Sequence, residues 1–253
     1  MRVLVTGSSG LIGSNIIRIL NRKFDFLGLD IIKNKDLPNL DTIIDNALNI
    51  KDVISKIDYV DAILHLAANA PVTTPWEKAL KNNIIVTHNI FEAAKINGIT
   101  KVVFASSNHV VGNFEFVHPY SDIINGNYNQ LSPGSYKLID HTVPIRPDSQ
   151  YGISKAFGEA SGRYYHEHFG LDVTCLRIGT FNTANKPTDI RSFSTWVSHR
   201  DLSNMIELSL KNSENFNIFY GVSDNTWKIW DIEHAKNTLN YSPKDNAELY
   251  RNE

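Results

Sequence analysis

Short β-branched runs and longer stretches with helical spacing take turns along this chain. "RVLVT" (2–6) leads into a glycine-rich turn, and "LIGSNIIRILNR" (11–22) then repeats apolar residues at helical intervals. "FDFLGLD" (24–30), "TIID" (42–45), "AILHLA" (62–67), "KVVFA" (101–105) and "DVTCLRI" (172–178) read as strands. Helices are expected over about 76–97 and 150–169, and again near 198–211 and after Asp231, with a strand at 217–220 between the last two. Strands that are apolar throughout, and separated by helices, imply a parallel sheet covered on both faces. The expected architecture is therefore an α/β doubly wound parallel sheet, which binds ligands beyond the carboxyl ends of its strands. Residues 1–180 would form the nucleotide-binding part, and 181–253 a small C-terminal substrate lobe without an independent core. Residues 113–147 lack periodicity and hold Pro119, Gly126, Pro133, Gly134, Pro144 and Pro147, so this stretch is either a substrate lid or a mobile excursion.

The turn after the first strand is "TGSSGLIGS", with Gly7, Gly10 and Gly13 spaced G-x-x-G-x-x-G. Such a turn needs a tight bend, a backbone bare enough to approach a pyrophosphate, and close packing of helix on strand. The helix that follows offers unpaired N–H groups and the positive end of its dipole to phosphates. Asp30 closes the second strand, where a carboxylate accepts hydrogen bonds from ribose hydroxyls and repels a 2′-phosphate. No arginine follows it (Ile31, Ile32 and Lys33 come next), so NAD is expected rather than NADP.

Composition narrows the partners. The 253 residues carry a net charge of −2, and no run of Lys or Arg exceeds two, so neither nucleic acid nor an anionic membrane is expected. No stretch approaches the roughly 18 apolar residues of a membrane span, and "MRVLVTG" is broken too early by glycine to be a secretory signal. Cys175 is the only cysteine and lies in an apolar strand, as a buried structural thiol would. The chain reads as cytoplasmic.

"YGISK" sets Tyr151 and Lys155 four apart on one face of a helix. A phenol of pKa near ~10 is a poor base at neutral pH, and an ammonium one turn away favours its phenolate. Upstream, the strand "KVVFA" hands over to Ser106, Ser107, Asn108 and His109. These features together resemble the extended short-chain dehydrogenase/reductase superfamily over essentially the whole chain. The resemblance implies that Tyr151 is the general base, that Lys155 binds the nicotinamide ribose and tunes the tyrosine, and that Ser107 hydrogen-bonds the reacting oxygen. It also implies that Asn83, in "NNIIVT", supports a proton-relay water, although Val86 replaces the usual glycine there. Leu11, Ile12, Leu48, Leu66, Ala67 and Ala68 are implied to join Gly7, Gly10, Gly13, Asp30, Tyr151 and Lys155 around the cofactor.

"ASSNHVVG", "RPDSQYGISKAFGE", "LRIG", "STWVSHRDL", "YGVSDN" and "YSPKDNAE" more narrowly resemble uronate dehydrogenases and related NAD-dependent sugar dehydrogenases. That likeness implies oxidation of the anomeric carbon of a pyranose to a lactone. Asn108, His109 and Thr180 would read sugar hydroxyls beside Ser107 and Tyr151, and Arg191 would pair with a substrate carboxylate. The sequence departs from the pattern at Ala47, where an aspartate contacts adenine, at Ala70 and Pro71, and in the longer 113–147 segment. Uronic acid is thus the first expectation, with a sugar phosphate such as glucose 6-phosphate or a neutral aldose as alternatives. A nucleotide-sugar epimerase or dehydratase uses the same Ser/Tyr/Lys set, and a non-catalytic dinucleotide sensor is a third class. Members of the superfamily pair helices matching 76–97 and 150–169 about a twofold axis, so a homodimer is expected. His65 and the tryptophans Trp76, Trp196, Trp227 and Trp230 read as packing residues, and no metal site is expected at His166 and His168.

Overall fold

The computed structural model describes every residue except Asp58, Ser213 and Glu253. Among the described residues, β1 (Arg2–Thr6), β2 (Asp25–Asp30), β3 (Thr42–Ile44), β4 (Ala62–His65), β5 (Lys101–Ser107), β6 (Asp172–Ile178) and β7 (Phe216–Gly221) form one parallel sheet. Its order is β3-β2-β1-β4-β5-β6-β7, which reverses between β1 and β4 and so opens a crevice above their carboxyl ends. This is the doubly wound Rossmann arrangement read from the sequence.

The α-helices of the described residues are α1 (Leu11–Leu20), α2 (Ile50–Lys56), α3 (Trp76–Ala79), α4 (Val86–Ile96), α5 (Tyr120–Ile124), α6 (Gln150–Phe169), α7 (Ser192–Thr195), α8 (His199–Asn212) and α9 (Glu233–Leu239). A π-helical segment, Leu80–Ile85, joins α3 to α4. Alternate strand residues go to opposite faces, and both faces are dry. Val3, Val5, Leu64, Val103 and Leu176 pack with α1, α8 and α9, whereas Leu4, Ile63, Val102, Phe104 and Val173 pack with α2, α4 and α6. That is why these strands read as unbroken apolar runs.

The 113–147 segment is packed, not splayed. Ile123 and Ile139 share a third core with Tyr220, Trp227, Ile229 and Trp230, Tyr128 stacks on Trp227 at 4.0 Å, and Ile139 bridges to Trp230. Parts of the structure differ from the sequence expectation. β4 stops at His65, while β5 continues through both serines because β6 still pairs with them, Ser106 opposite Arg177 and Ser107 opposite Ile178. The seven-residue α2, capped by the Asn49 side chain, is too short to announce itself by periodicity. Trp76, expected to pack, is 43% exposed.

Candidate active site

β5 overshoots β4, and the space above β4 is bordered by its continuation, Leu66–Ala68. Two cavities meet there. One, of about 360 Å³, is lined by Gly7, Gly10, Asp30, Leu66, Ala67 and Ala68 together with Ser9, Ala47 and Asn69. The other, of about 270 Å³, is lined by Ile12, Leu66, Ala68, Ser107, Asn108, His109, Tyr151, Lys155, Thr180 and Arg191. Leu66 and Ala68 belong to both.

The first cavity has the build of a dinucleotide cradle. Gly7 has φ +71°, and a Cβ on it would meet the Ala67 backbone at 2.9 Å; a Cβ on Gly13 would lie 2.4 Å from the Gly7 carbonyl oxygen. Side chains are thereby kept off the turn. No side chain caps α1 at Gly10 and no acidic residue occupies its first turn, so its leading N–H groups and dipole are available to an anion. The Asp30 carboxylate accepts from the Ser9 N–H at 2.8 Å and the Ile31 N–H at 2.7 Å, which ties the end of β2 to the glycine turn. Leu11 is 40% exposed at the helix start, Gly13 is buried beneath the turn, and Leu48 packs against the second core; none of these three lines either cavity. Asp45 lines the first cavity, but Lys56 and the Ala47 N–H already hold its carboxylate.

In the second cavity, helix α6 is pressed onto the end of β5. A Cβ on Gly152 would fall 2.4 Å from the His109 carbonyl oxygen, and one on Gly158 would fall 2.1 Å from the Phe104 ring. Ser149 caps the helix by accepting from the Gly152 N–H at 3.0 Å, which fixes Tyr151 in its first turn. Tyr151 and Ser107 line the same cavity, Ser107 Oγ accepting from the His109 N–H at 3.2 Å. Burial pushes the phenol up to about 12, against the opposing effect of the neighbouring Ser107 hydroxyl. Lys155 donates to the Ala105 carbonyl oxygen at 2.6 Å, its ammonium lies 5.7 Å from the Tyr151 ring centre, and burial pulls it down to about 7. In this chain burial therefore dominates both groups.

Asn83 lines neither cavity. It is buried in the π-helical turn, accepts from the Asn69 N–H at 2.7 Å and donates to Ser154 Oγ at 2.9 Å. Ser154 Oγ in turn donates to the Tyr151 carbonyl oxygen at 2.7 Å, so Asn83 braces the first turn of α6. His65 is enclosed between Thr6 Oγ1 at 2.7 Å and Thr87 Oγ1 at 3.0 Å, and burial, helped by the charge of Lys155, pulls it down to about 3. It is a neutral core histidine. Burial likewise pushes the Cys175 thiol up, away from reactivity.

Two carboxylates escaped the sequence reading. Asp148 lies 2.7 Å from His109 Nδ1; burial would raise Asp148, but the bonds from His109 and Ser149 hold it below its ordinary range. Glu115, from the 113–147 segment, pairs with Arg191 through two 2.7 Å hydrogen bonds. Both partnerships join residues far apart in sequence, and only Asp148's place in "RPDSQY" hinted at either.

The model of the NAD dependent epimerase/dehydratase family matches residues 3–213. This chain belongs to that family. An NAD-dependent glucose-6-phosphate dehydrogenase of Haloferax volcanii is 34% identical over 252 residues, 97% of this chain and 94% of the relative. A uronate dehydrogenase of Pseudomonas syringae pv. tomato is 32% identical over 99% of this chain and 84% of its own length. Among solved structures, the uronate dehydrogenase from Agrobacterium tumefaciens, as a mutant complexed with NAD, superposes with a TM-score of 0.83 at 31% identity, covering 99% of this chain and 87% of that one. The family relatives thus act on sugars with NAD, as the motifs implied.

Proposed function

We propose that this chain oxidises the anomeric carbon of a pyranose to a lactone with NAD, a uronic acid being the first candidate substrate. The observation that carries the reading is that Ser107, Tyr151 and, one helical turn on, Lys155 line one cavity, which shares Leu66 and Ala68 with the glycine-turn cradle. Residues 1–180 would then bind NAD and residues 181–253 would close the substrate side. Gly7, Gly10, Ile12, Asp30 and Leu66–Ala68 would hold NAD, which supplies the electron acceptor and a positively charged ring.

In this mechanism Ser107 and Tyr151 flank the sugar's C1 hydroxyl. Ser107 holds that oxygen as it gains carbonyl character, and Tyr151 takes its proton. A phenol pushed up to about 12 gives up its own proton only when positive charge stands nearby, which Lys155 and the cofactor ring provide. Lys155, at about 7, exchanges protons near neutrality and passes them on. Asn83 steadies that relay through Ser154. Asn108, His109 and Thr180 orient ring hydroxyls, and Arg191 meets the far end of the sugar, so the reacting atoms start aligned.

An NADH-formation screen over glucuronate, galacturonate, glucose 6-phosphate and neutral pentoses tests the reading. Steady accumulation of NADH with one of these sugars is expected; its absence with all of them removes the dehydrogenase reading in favour of an epimerase or dehydratase that keeps its cofactor. Tyr151→Phe is expected to lower kcat at least about a hundredfold while leaving NAD affinity within about twofold, as checked by calorimetry.

We further propose a homodimer through the helices near 76–97 and 150–169. Leu80, Ile85, Ile153 and Tyr164 on these segments are exposed apolar side chains, which supports the pairing. Sedimentation is expected to give twice the 28.5 kDa chain mass. Among the described residues no helix is long and apolar enough to cross a membrane. The single buried thiol and the use of NAD support a cytoplasmic location, which cell fractionation would check.

A further inference from the structure

Arg191 was expected to await a carboxylate on the substrate, yet a carboxylate of the chain already occupies one edge of its fork. Arg191 Nε donates to Glu115 Oε2 and Nη2 to Glu115 Oε1, both at 2.7 Å, and Nη1 donates to Thr180 Oγ1 at 3.2 Å. Asn108 Nδ2 also donates to Glu115 Oε1, at 3.2 Å. Glu115 therefore touches two residues of the sugar cavity without lining it. Its side chain is 9% exposed and that of Arg191 30%, so water screens the pair only partly. Burial disfavours the Arg191 charge, but Glu115, Asp189 and Asp148 together hold the guanidinium above its ordinary range. Arg191 on this wall thus faces three carboxylates, Glu115 in direct contact and Asp189 and Asp148 by charge.

A bidentate guanidinium–carboxylate pair is directional, and its paired edge has nothing left to give a second anion. An incoming carboxylate must use the remaining edge of a neutralised guanidinium or displace Glu115, leaving a buried charge unpaired. Either route weakens anion binding relative to a bare arginine. Neutral hydroxyls feel little of this, since Asn108, His109 and Thr180 recognise them by hydrogen bonds.

Resting on the sugar dehydrogenase reading, we propose that Glu115 is the positioning residue that sets this chain's preference between anionic and neutral sugars, acting as a resident counter-ion on Arg191. Glu115→Gln keeps the shape and removes the charge. It is expected to raise the ratio of kcat/KM for glucuronate over glucose, and for glucose 6-phosphate over glucose, by about tenfold, chiefly through KM. Glu115→Asp keeps the charge and is expected to restore the wild-type ratios. A variant that folds poorly loses active protein for both sugars alike, so the ratio stays readable. Calorimetric binding of glucuronate to wild type and Glu115→Gln gives a readout without turnover. Unchanged or lower ratios in Glu115→Gln, or unchanged glucuronate affinity, would overturn the proposal. If the wild type oxidises none of these three sugars, nor galacturonate or a neutral pentose, the dehydrogenase reading falls, and the calorimetric arm alone then decides the role of Glu115: tighter glucuronate binding by Glu115→Gln upholds it, and unchanged binding overturns it.

Discussion

Lys155 is held where an ammonium is least at home. Among apolar neighbours and with the Ala105 carbonyl oxygen for company, it is pulled down to about 7, against ~10.4 in an unfolded chain. Between those values the unfolded state binds a proton that the folded state does not, so this residue makes stability rise with pH, by up to about 1.4 kcal/mol per unit. Replacing it with a buried apolar side chain removes that cost. Lys155→Met is expected to abolish turnover, to raise Tm at pH 7 by about 3 °C or more, and to flatten the rise of stability from pH 7 to 9. Thermal unfolding of both proteins across that range checks it; a destabilised variant would mean that the ammonium is stabilising where it sits. Tyr151, Lys155 and Ser107 were legible in the sequence because their relation is local: one helical turn and one strand end. Glu115 and Asp148 were not, because only the folded chain brings them to Arg191 and His109.

Elements show the same division. The glycine turn, β2 and α1 form one short contiguous unit, so its purpose could be read directly, whereas the π-helical turn that aims Asn83 has no sequence period of its own. The pressing of α6 onto β5 was equally hidden, since Gly152 and Gly158 matter only through what a Cβ would strike. Within the legible unit, Asp30 has two duties. It presents a negative charge at the rim of the cradle, and through the Ser9, Ile31 and Ile32 N–H groups it keeps the turn closed against β2. Asp30→Ala is therefore expected to weaken NAD about tenfold or more while affecting NADP much less, since loss of repulsion of the 2′-phosphate offsets the looser turn. Titration of both cofactors checks this, and an unchanged NAD:NADP ratio would take Asp30 out of the site.

Across the whole molecule, the end of β5 and the 113–147 segment are joined by charge buried in the sheet. Ser106 Oγ donates to Glu159 Oε1 at 2.6 Å, and Arg177 grips the same carboxylate through Nε and Nη2 at 2.9 Å each. Arg177 Nη1 reaches Tyr220 Oη at 3.1 Å, and that hydroxyl donates to the Asp140 carbonyl oxygen at 3.2 Å. One chain of bonds thus runs from β5 through α6, β6 and β7 into the segment that supplies Glu115 to Arg191. Nothing in "DVTCLRI" or "AFGE" revealed it, because an arginine at a strand end looks alike whether it meets water or a partner. The side chains of Arg177 and Glu159 are only 2% and 6% exposed, so breaking the pair leaves a charge that water cannot reach. Arg177→Met alone is expected to cost about 3–5 kcal/mol in denaturant unfolding, with loss of activity as Ser106 and Tyr220 lose their anchor. Adding Glu159→Leu to Arg177→Met removes the stranded carboxylate and is expected to recover most of that stability, though not the activity. If the double variant is as unstable as the sum of its two single changes, the ion pair is not the link between the sheet and the segment, and packing of the third core must carry that connection instead.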